Sequence, residues 1–254
     1  MLSFFKPISQ LKNINYFQNF TLCHLIYLII IASIMFVLIK IYKNKSMEQK
    51  QKLMNIFCIL LPTFNGLRML WEVYAGQFSI ANSLPFHLCS FQAIITILLV
   101  ITKNDKFVEF LYAFGLSGAT AAVLFPNLTG YPQIHYYTAQ FFINHGVIIF
   151  IPLFYMVCMG FCPQIKNLWF SGLILAFLIP FDIVFNNIFG ANYMFLAQGV
   201  PGTPLQLVEQ ITGKHLYLLG VAIFGLIILA GMYAPFVISD LIKRKQSAVS
   251  LKQS

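Results

Sequence analysis

Residues 22–45 read LCHLIYLIIIASIMFVLIKIYKNK. Up to Ile39 only Cys23, His24, Tyr27 and Ser33 carry a polar atom or thiol among otherwise apolar side chains, and then Lys40, Lys43 and Lys45 arrive together. A helix needs about 20 apolar residues to cross the hydrocarbon core of a bilayer. This run has that length, and lysines follow it rather than a small-residue cleavage site. It is therefore expected to remain as a first membrane helix and not to be removed as a signal peptide.

Six further runs of the same kind follow, at 53–75, 86–102, 107–125, 138–160, 168–189 and 216–238. The chain of 254 residues is 59% hydrophobic and 9% charged, with mean hydropathy +0.80. A soluble domain has about 25% charged residues, so that class is excluded. Backbone groups in lipid must be satisfied within the protein, and the alternation of a barrel strand is missing. The fold class is all-α: a polytopic membrane protein with seven transmembrane helices in one domain at 22–238. Residues 1–21 form an interfacial segment before it, and 239–254 form a basic tail after it.

The net charge of +9 invites a nucleic-acid reading, but its placement argues for topology. Lys40, Lys43, Lys45, Lys50, Lys52, Lys103, Lys106, Lys166, Lys243, Arg244, Lys245 and Lys252 flank or follow the odd-numbered runs. Only Lys6, Lys12 and Lys214 fall on the other side, and Arg68 lies inside the second run. By the positive-inside rule the N-terminus is outside and the C-terminus inside, in a multi-pass protein of the cell membrane. The terminal cluster then meets the anionic inner leaflet, and no nucleic-acid partner is expected. The cysteines at 23, 58, 89, 158 and 162 are scattered through apolar runs and suggest no disulfide framework. Cys158 and Cys162, one turn apart, read best as small packing residues, with lipidation or a weak metal site as the alternatives.

Loops are short except 190–215, GANYMFLAQGVPGTPLQLVEQITGKH, which is too rich in Gly and Pro to span. It is expected to form an outer cap with a short helix at 204–211. Long ordered loops of this kind often cover functional sites.

Depth then sorts the polar residues. The second run ends outside, which places Arg68 and Glu72 in its outer third. His87, Cys89 and Gln92 begin the third run at the same level, and Asn144 and His145 begin the fifth. Asp182, Asn186 and Asn187 end the sixth. Ionisable groups inside a membrane are costly and mark functional sites by default. The bland reading is that Arg68 and Glu72 form an ordinary i,i+4 pair and that the rest snorkel. Four runs contributing to one layer favour a buried site.

Within LPFHLCSFQ (84–92), Ser83 and Pro85 mark a helix start, with Cys89 one turn inside it near the positive end of the dipole. Such a position favours the nucleophilic thiolate. His145, followed by Gly146, is the candidate base. The glycine lets another chain or a substrate approach closely. Asp182 and Glu72 are equal candidates to hold the imidazole tautomer. Gln92, three residues after Cys89, suits an oxyanion donor. His87 points to another face, toward a headgroup or the cap.

At these residues a resemblance emerges. LPFHLCS (84–90), FFINHG (141–146) and NYMFL (192–196), in order and spacing, resemble the YwaF-type bacterial integral membrane proteins. Those are related to the eukaryotic TMEM-type acyltransferases that make polyunsaturated ether phospholipids. The resemblance runs from about Arg68 to Tyr217. It implies seven helices and a catalytic Cys–His pair, which falls on Cys89 and His145, with Asn192 and Tyr193 in the cap. The chain departs from the family pattern at GVPGTP (199–204) and GKHLYLL (213–219). The expected activity is phospholipid acyl transfer to lyso-lipids, without a cofactor or metal.

Other readings are a transporter or lipid-binding protein using the same pocket, and a rhomboid-like hydrolase built on Ser117 in GLSGAT (115–120). Transporter sites sit near the midplane between repeated, broken helices, and no repeat is visible here. Small-residue packing explains GLSGAT better. A zinc-dependent ceramidase would need a late His-x-x-x-His, which is missing. A metal held by His87, Cys89, His145 and Asp182 completes the alternatives.

Overall fold

The computed structural model describes residues 4–11, 14–128 and 130–253, with the side chains of Lys245 and of 247–253 outside that description. Among these residues seven main helices form a bundle, with no strand beyond an isolated bridge between Tyr16 and Pro132. They are α1 (Leu22–Tyr42), α2 (Met47–Tyr74), α3 (Leu88–Thr102), α4 (Asp105–Leu124), α5 (Tyr136–Cys158), α6 (Leu168–Phe189) and α7 (Pro204–Gln253). Six are long and apolar enough to cross a membrane, and α3 is a shorter apolar helix.

Local chemistry sets the ends. Thr21 caps α1, a Ser46–Gln49 capping box opens α2, and the Asn104 side chain caps α4. Gly190, at φ 61°, closes α6 with the left-handed residue common after a helix. Residues 111–116 of α4 widen into a π turn. The helix expected at 204–211 forms within α7, which breaks at Gly213 (φ 71°, ψ 165°), a conformation open to glycine. A Cβ on Gly220 would lie 2.8 Å from Val208 Cγ1 and 2.7 Å from Thr212 Cγ2, so the short helix folds back onto the spanning part. Beyond 238 the basic tail continues the same helix to Gln253.

The third helix differs from expectation. Residues preceding proline avoid the α region, and the chain stays irregular through Pro85. His87 is extended (φ −60°, ψ 143°) and is the N-cap of α3, without a side-chain capping bond. Ser83 instead accepts the Ser79 N–H at 3.0 Å within the preceding loop. Cys89 thus lies in the first turn of α3 rather than one turn inside a helix begun at Ser83.

The centre of the bundle is α5, most of which is buried against α1, α2, α3 and α4. Tyr27 of α1 stacks on Phe142 at 4.5 Å, and the His24 ring donates to the Val123 carbonyl at 2.7 Å. Helices α1 and α7 keep most of their aliphatic surface exposed, as the lipid-facing rim of a bundle does. At the end where α1 begins, called here the N-terminal face, two segments cover the bundle. One is the N-terminal strap: Trp71 Nε1–H donates to Phe5 O at 3.1 Å and Tyr136 N–H to Phe4 O at 2.9 Å. The other is the loop between α6 and α7.

The opposite half holds a polar group that the layer reading passed over. Glu109 of α4 is fully buried. Its carboxylate accepts the Gln164 N–H at 3.1 Å, Asn167 Nδ2–H at 3.3 Å and the Tyr233 hydroxyl. One side chain thereby joins α4, the start of α6 and α7.

Candidate functional site

The site is built where α3 and α5, which run in the same direction, meet α4. Gly115, in the π turn, is the meeting point. A Cβ there would lie 3.2 Å from Ile148 Cγ2 of α5 and 3.3 Å from the Gln92 carboxamide of α3. Cys89 and His145 each precede those residues by three positions, one turn nearer the N-terminal face. The two side chains of greatest chemical interest therefore share a level on adjacent parallel helices. Single-turn π insertions are frequent at functional sites, and this one lets the Gln92 amide press against backbone.

Because His87 caps α3 only through its backbone, the first intrahelical bond is Phe91 N–H to His87 O at 2.9 Å. The N–H groups of Leu88, Cys89 and Ser90 come before it and carry the positive end of the helix dipole. Cys89 packs against the core yet keeps part of its surface accessible, as does every residue from 84 to 91. A fully packed helix start would bury one side and expose the other. Here the whole segment is half-buried instead.

His145 is oriented by its own helix. Nδ1–H donates to the Phe141 carbonyl at 2.8 Å, which leaves Nε2 without a proton and free to accept one. Neither Asp182 nor Glu72 holds the imidazole: both Asp182 oxygens lack a hydrogen-bond partner, and Glu72 pairs with Arg68. Gly146 serves packing: Ile31 of α1 would meet its Cβ at 3.0 Å, so α1 is the chain that approaches closely. Asn144 accepts a long hydrogen bond from Asn65 Nδ2 at 3.4 Å, and Gln140 donates to Phe64 O at 3.3 Å. These amides join α5 to α2.

Arg68 and Glu72 pair at 2.5 Å, and a second Arg68 nitrogen donates to Ser83 O at 3.0 Å, tying α2 to the loop before α3. Both Arg68 and His145 lie within electrostatic reach of His87. The His87 ring sits between Tyr193 and Phe195, with centroids 5.0 and 4.9 Å away.

Tyr193 is the hub of the cap. Its hydroxyl donates to Ile80 O at 2.6 Å and accepts the Leu84 N–H at 3.0 Å. Its backbone is clamped by Asn186, whose side chain accepts the Tyr193 N–H at 2.8 Å and donates to its carbonyl at 3.0 Å. Asn192 closes the following turn through Ala197 N–H and Gln198 O, both at 3.0 Å. Met194 and Phe195 hold φ values of 53° and 56°, a strained left-handed pair that sets Phe195 over His87. Asn187, on the exposed side of α6, takes no part.

Several buried polar atoms in this half have no hydrogen-bond partner in the protein: His87 Nδ1, both polar atoms of Gln92, both oxygens of Asp182 and Glu72 Oε2. Burying such groups unpaired costs about 1–3 kcal/mol each, more for a charge. Such a concentration is expected where a ligand completes the bonding. Among the described residues no three His, Cys, Asp or Glu side chains converge as metal ligands would. Cavities of about 220 and 240 Å³ lie elsewhere, one at the opposite face around Gln51, Lys103 and Tyr155, the other beside the start of α1. Neither touches Cys89 or His145.

Depth in the sequence singles out Cys89, His145, Gln92 and Asp182, but it misses the organising role of Tyr193 and the close packing at Gly115. The tyrosine's only signal was its place in NYMFL.

Comparison with known proteins adds one finding. The model of the TMEM164 family matches residues 16–233. No curated protein and no solved structure matches the chain significantly. The matched region holds all seven helices up to Tyr233 and every residue of the layer, and the chain belongs to the TMEM164 family, as a multi-pass membrane protein.

Proposed function

We propose that this protein is a phospholipid acyltransferase working through Cys89 and His145, with the N-terminal face outside the cell membrane. One observation carries the reading: a cysteine in the uncapped first turn of α3 lies level with an imidazole whose bare Nε2 is set by the Phe141 carbonyl. The resemblance of 84–90, 141–146 and 192–196 to YwaF-type proteins, and through them to the ether-phospholipid acyltransferases, supports the same chemistry.

In the first half of the cycle His145 Nε2 takes the Cys89 thiol proton, and the thiolate attacks an ester carbonyl of a bound phospholipid. The oxyanion forms where the free N–H groups of α3 and Gln92 Nε2–H are available as donors. The intermediate collapses to a Cys89 thioester, and His145 returns its proton to the departing lysophospholipid oxygen. In the second half His145 takes the proton of an acceptor hydroxyl. That oxygen attacks the thioester, and the thiol is regenerated with its proton. Atoms balance without a cofactor. Glu72, through Arg68, holds the loop before α3 in place, and Asn144 fixes α5 against α2.

Purified protein in phosphatidylcholine vesicles containing a chain-deuterated lysophospholipid tests this. Acyl exchange in wild type and none in Cys89→Ala is expected. Equal exchange in both would remove Cys89 from the chemistry. Asp182 favours a second reading: a buried carboxylate without a partner suits a pocket that only binds lipid. Exchange absent from wild type, with lipid still retained, would select it.

A further inference from the structure

Helix α7 stands apart from the bundle in an unusual way. Among the described residues no other helix packs backbone-close along its length beyond isolated approaches, and it is held by side chains at two levels. Near its start the Tyr217 hydroxyl donates to Phe195 O at 2.7 Å. Deep in the other half, Tyr233 reaches Glu109 and Met232 O accepts the Tyr112 hydroxyl at 2.8 Å. Between these anchors, residues 218–228 join neither buried apolar cluster, whereas Leu229, Met232 and Phe236 do.

Helix α4 has an open position of its own at Gly118. Gly118 lies one turn beyond Phe114, which belongs to the cluster containing Tyr233. Because α4 and α7 run in opposite directions and Tyr112 meets Met232 and Tyr233, the six residues from Tyr112 to Gly118 climb about 9 Å, to within one turn of Gly225. A Cβ on either glycine would meet nothing within 4 Å. The floor of the gap is the Tyr112–Tyr233 cluster, and its roof is the short helix seated on Gly220. Eleven helical residues span about 16 Å, close to the roughly 15 Å depth of one leaflet's hydrocarbon. At its inner edge Gly115, beside Phe114, touches Gln92 one turn below Cys89.

We infer that this gap is the channel for one acyl chain of the phospholipid whose ester meets Cys89, with Gly118 and Gly225 leaving the width the chain needs. The occupant is a hydrocarbon chain because the walls are apolar, the gap opens within the spanning region, and it leads to the reactive layer. The inference rests on the proposed site, yet it is separable from the covalent chemistry.

The test uses full-length Cys89→Ser protein carrying Gly118→Leu or Gly225→Phe, purified in detergent with short-, medium- and long-chain phosphatidylcholines. Retained lipid is counted per protein by native mass spectrometry. Neither glycine has a neighbour to displace, and folding is checked by unfolding midpoint. Each substitution should lower long-chain retention by about tenfold, the loss expected when roughly two methylenes lose their burial, while short chains are retained as in Cys89→Ser alone. Unchanged retention of every chain length in both variants overturns the channel. The same glycine variants with Cys89 intact separate the two claims. Without any Cys89 adduct but with chain-length discrimination, acyl transfer fails and the channel stands. With an adduct whose chain lengths match wild type, the channel fails and acyl transfer stands.

Discussion

Glu109 and Asp182 are both buried carboxylates in membrane-spanning helices, and the protein treats them in opposite ways. Glu109 accepts from a main-chain N–H, an amide and a tyrosine hydroxyl, and so fastens α4, α6 and α7 together. Asp182 is buried equally deeply, yet neither of its oxygens has a donor. Burial is the same; satisfaction is not. The comparison separates a polar group that holds the fold from one whose bonding is left for something that visits.

Four outcomes would sharpen or break that contrast. The largest concerns the open half: His145→Ala should lower acyl exchange by about a thousandfold, the usual worth of a positioned base. It should leave the unfolding midpoint near wild type, and a parallel loss of stability would show that the layer is structural after all. Next, Glu109→Ala should cost about 3 kcal/mol in denaturant unfolding, because its donors are left buried without an acceptor. A cost below about 0.5 kcal/mol would dissolve the contrast from the other side. Tyr233→Phe removes one of those donors and should cost about 1 kcal/mol, with lipid retention reporting whether α7 has also moved. Asp182→Asn should be smallest on stability, within about 0.5 kcal/mol or slightly stabilising, since it removes an unpaired charge. Its effect should fall on lipid retention instead, and a destabilisation comparable to Glu109→Ala would mean that Asp182 is a fold residue.

Much of the architecture was legible in the sequence because lipid imposes a simple rule: each span must be long, apolar and helical. Basic residues gathering after alternate runs led to an expected orientation in the membrane, and alternation of helix direction is enough to put Cys89, His145 and Asp182 at one end. The limits came where backbone geometry decides. Ser83 and Pro85 were read as the start of a helix, whereas the chain stays irregular up to His87, so Cys89 gains free N–H groups that depth alone did not indicate. The partner of the His145 ring was sought among carboxylates, but a carbonyl one turn back sufficed. Glu109 was visible as a lone acid in an apolar run. Its partners, Gln164, Asn167 and Tyr233, are 55, 58 and 124 positions away, and only packing brings them together. The unattached middle of α7 had no sequence signature, since lipid-facing and channel-facing aliphatic residues look alike.

The central claim is that Cys89 forms a thioester, and the mass of the Cys89 peptide from protein purified with native lipids tests it most directly. His145→Ala and Cys89→Ser protein would be prepared alongside. A fatty-acyl adduct on Cys89 that hydroxylamine removes, and that is diminished in His145→Ala, is the expected result. An unmodified Cys89 in wild type, even after phospholipid is added, would contradict it.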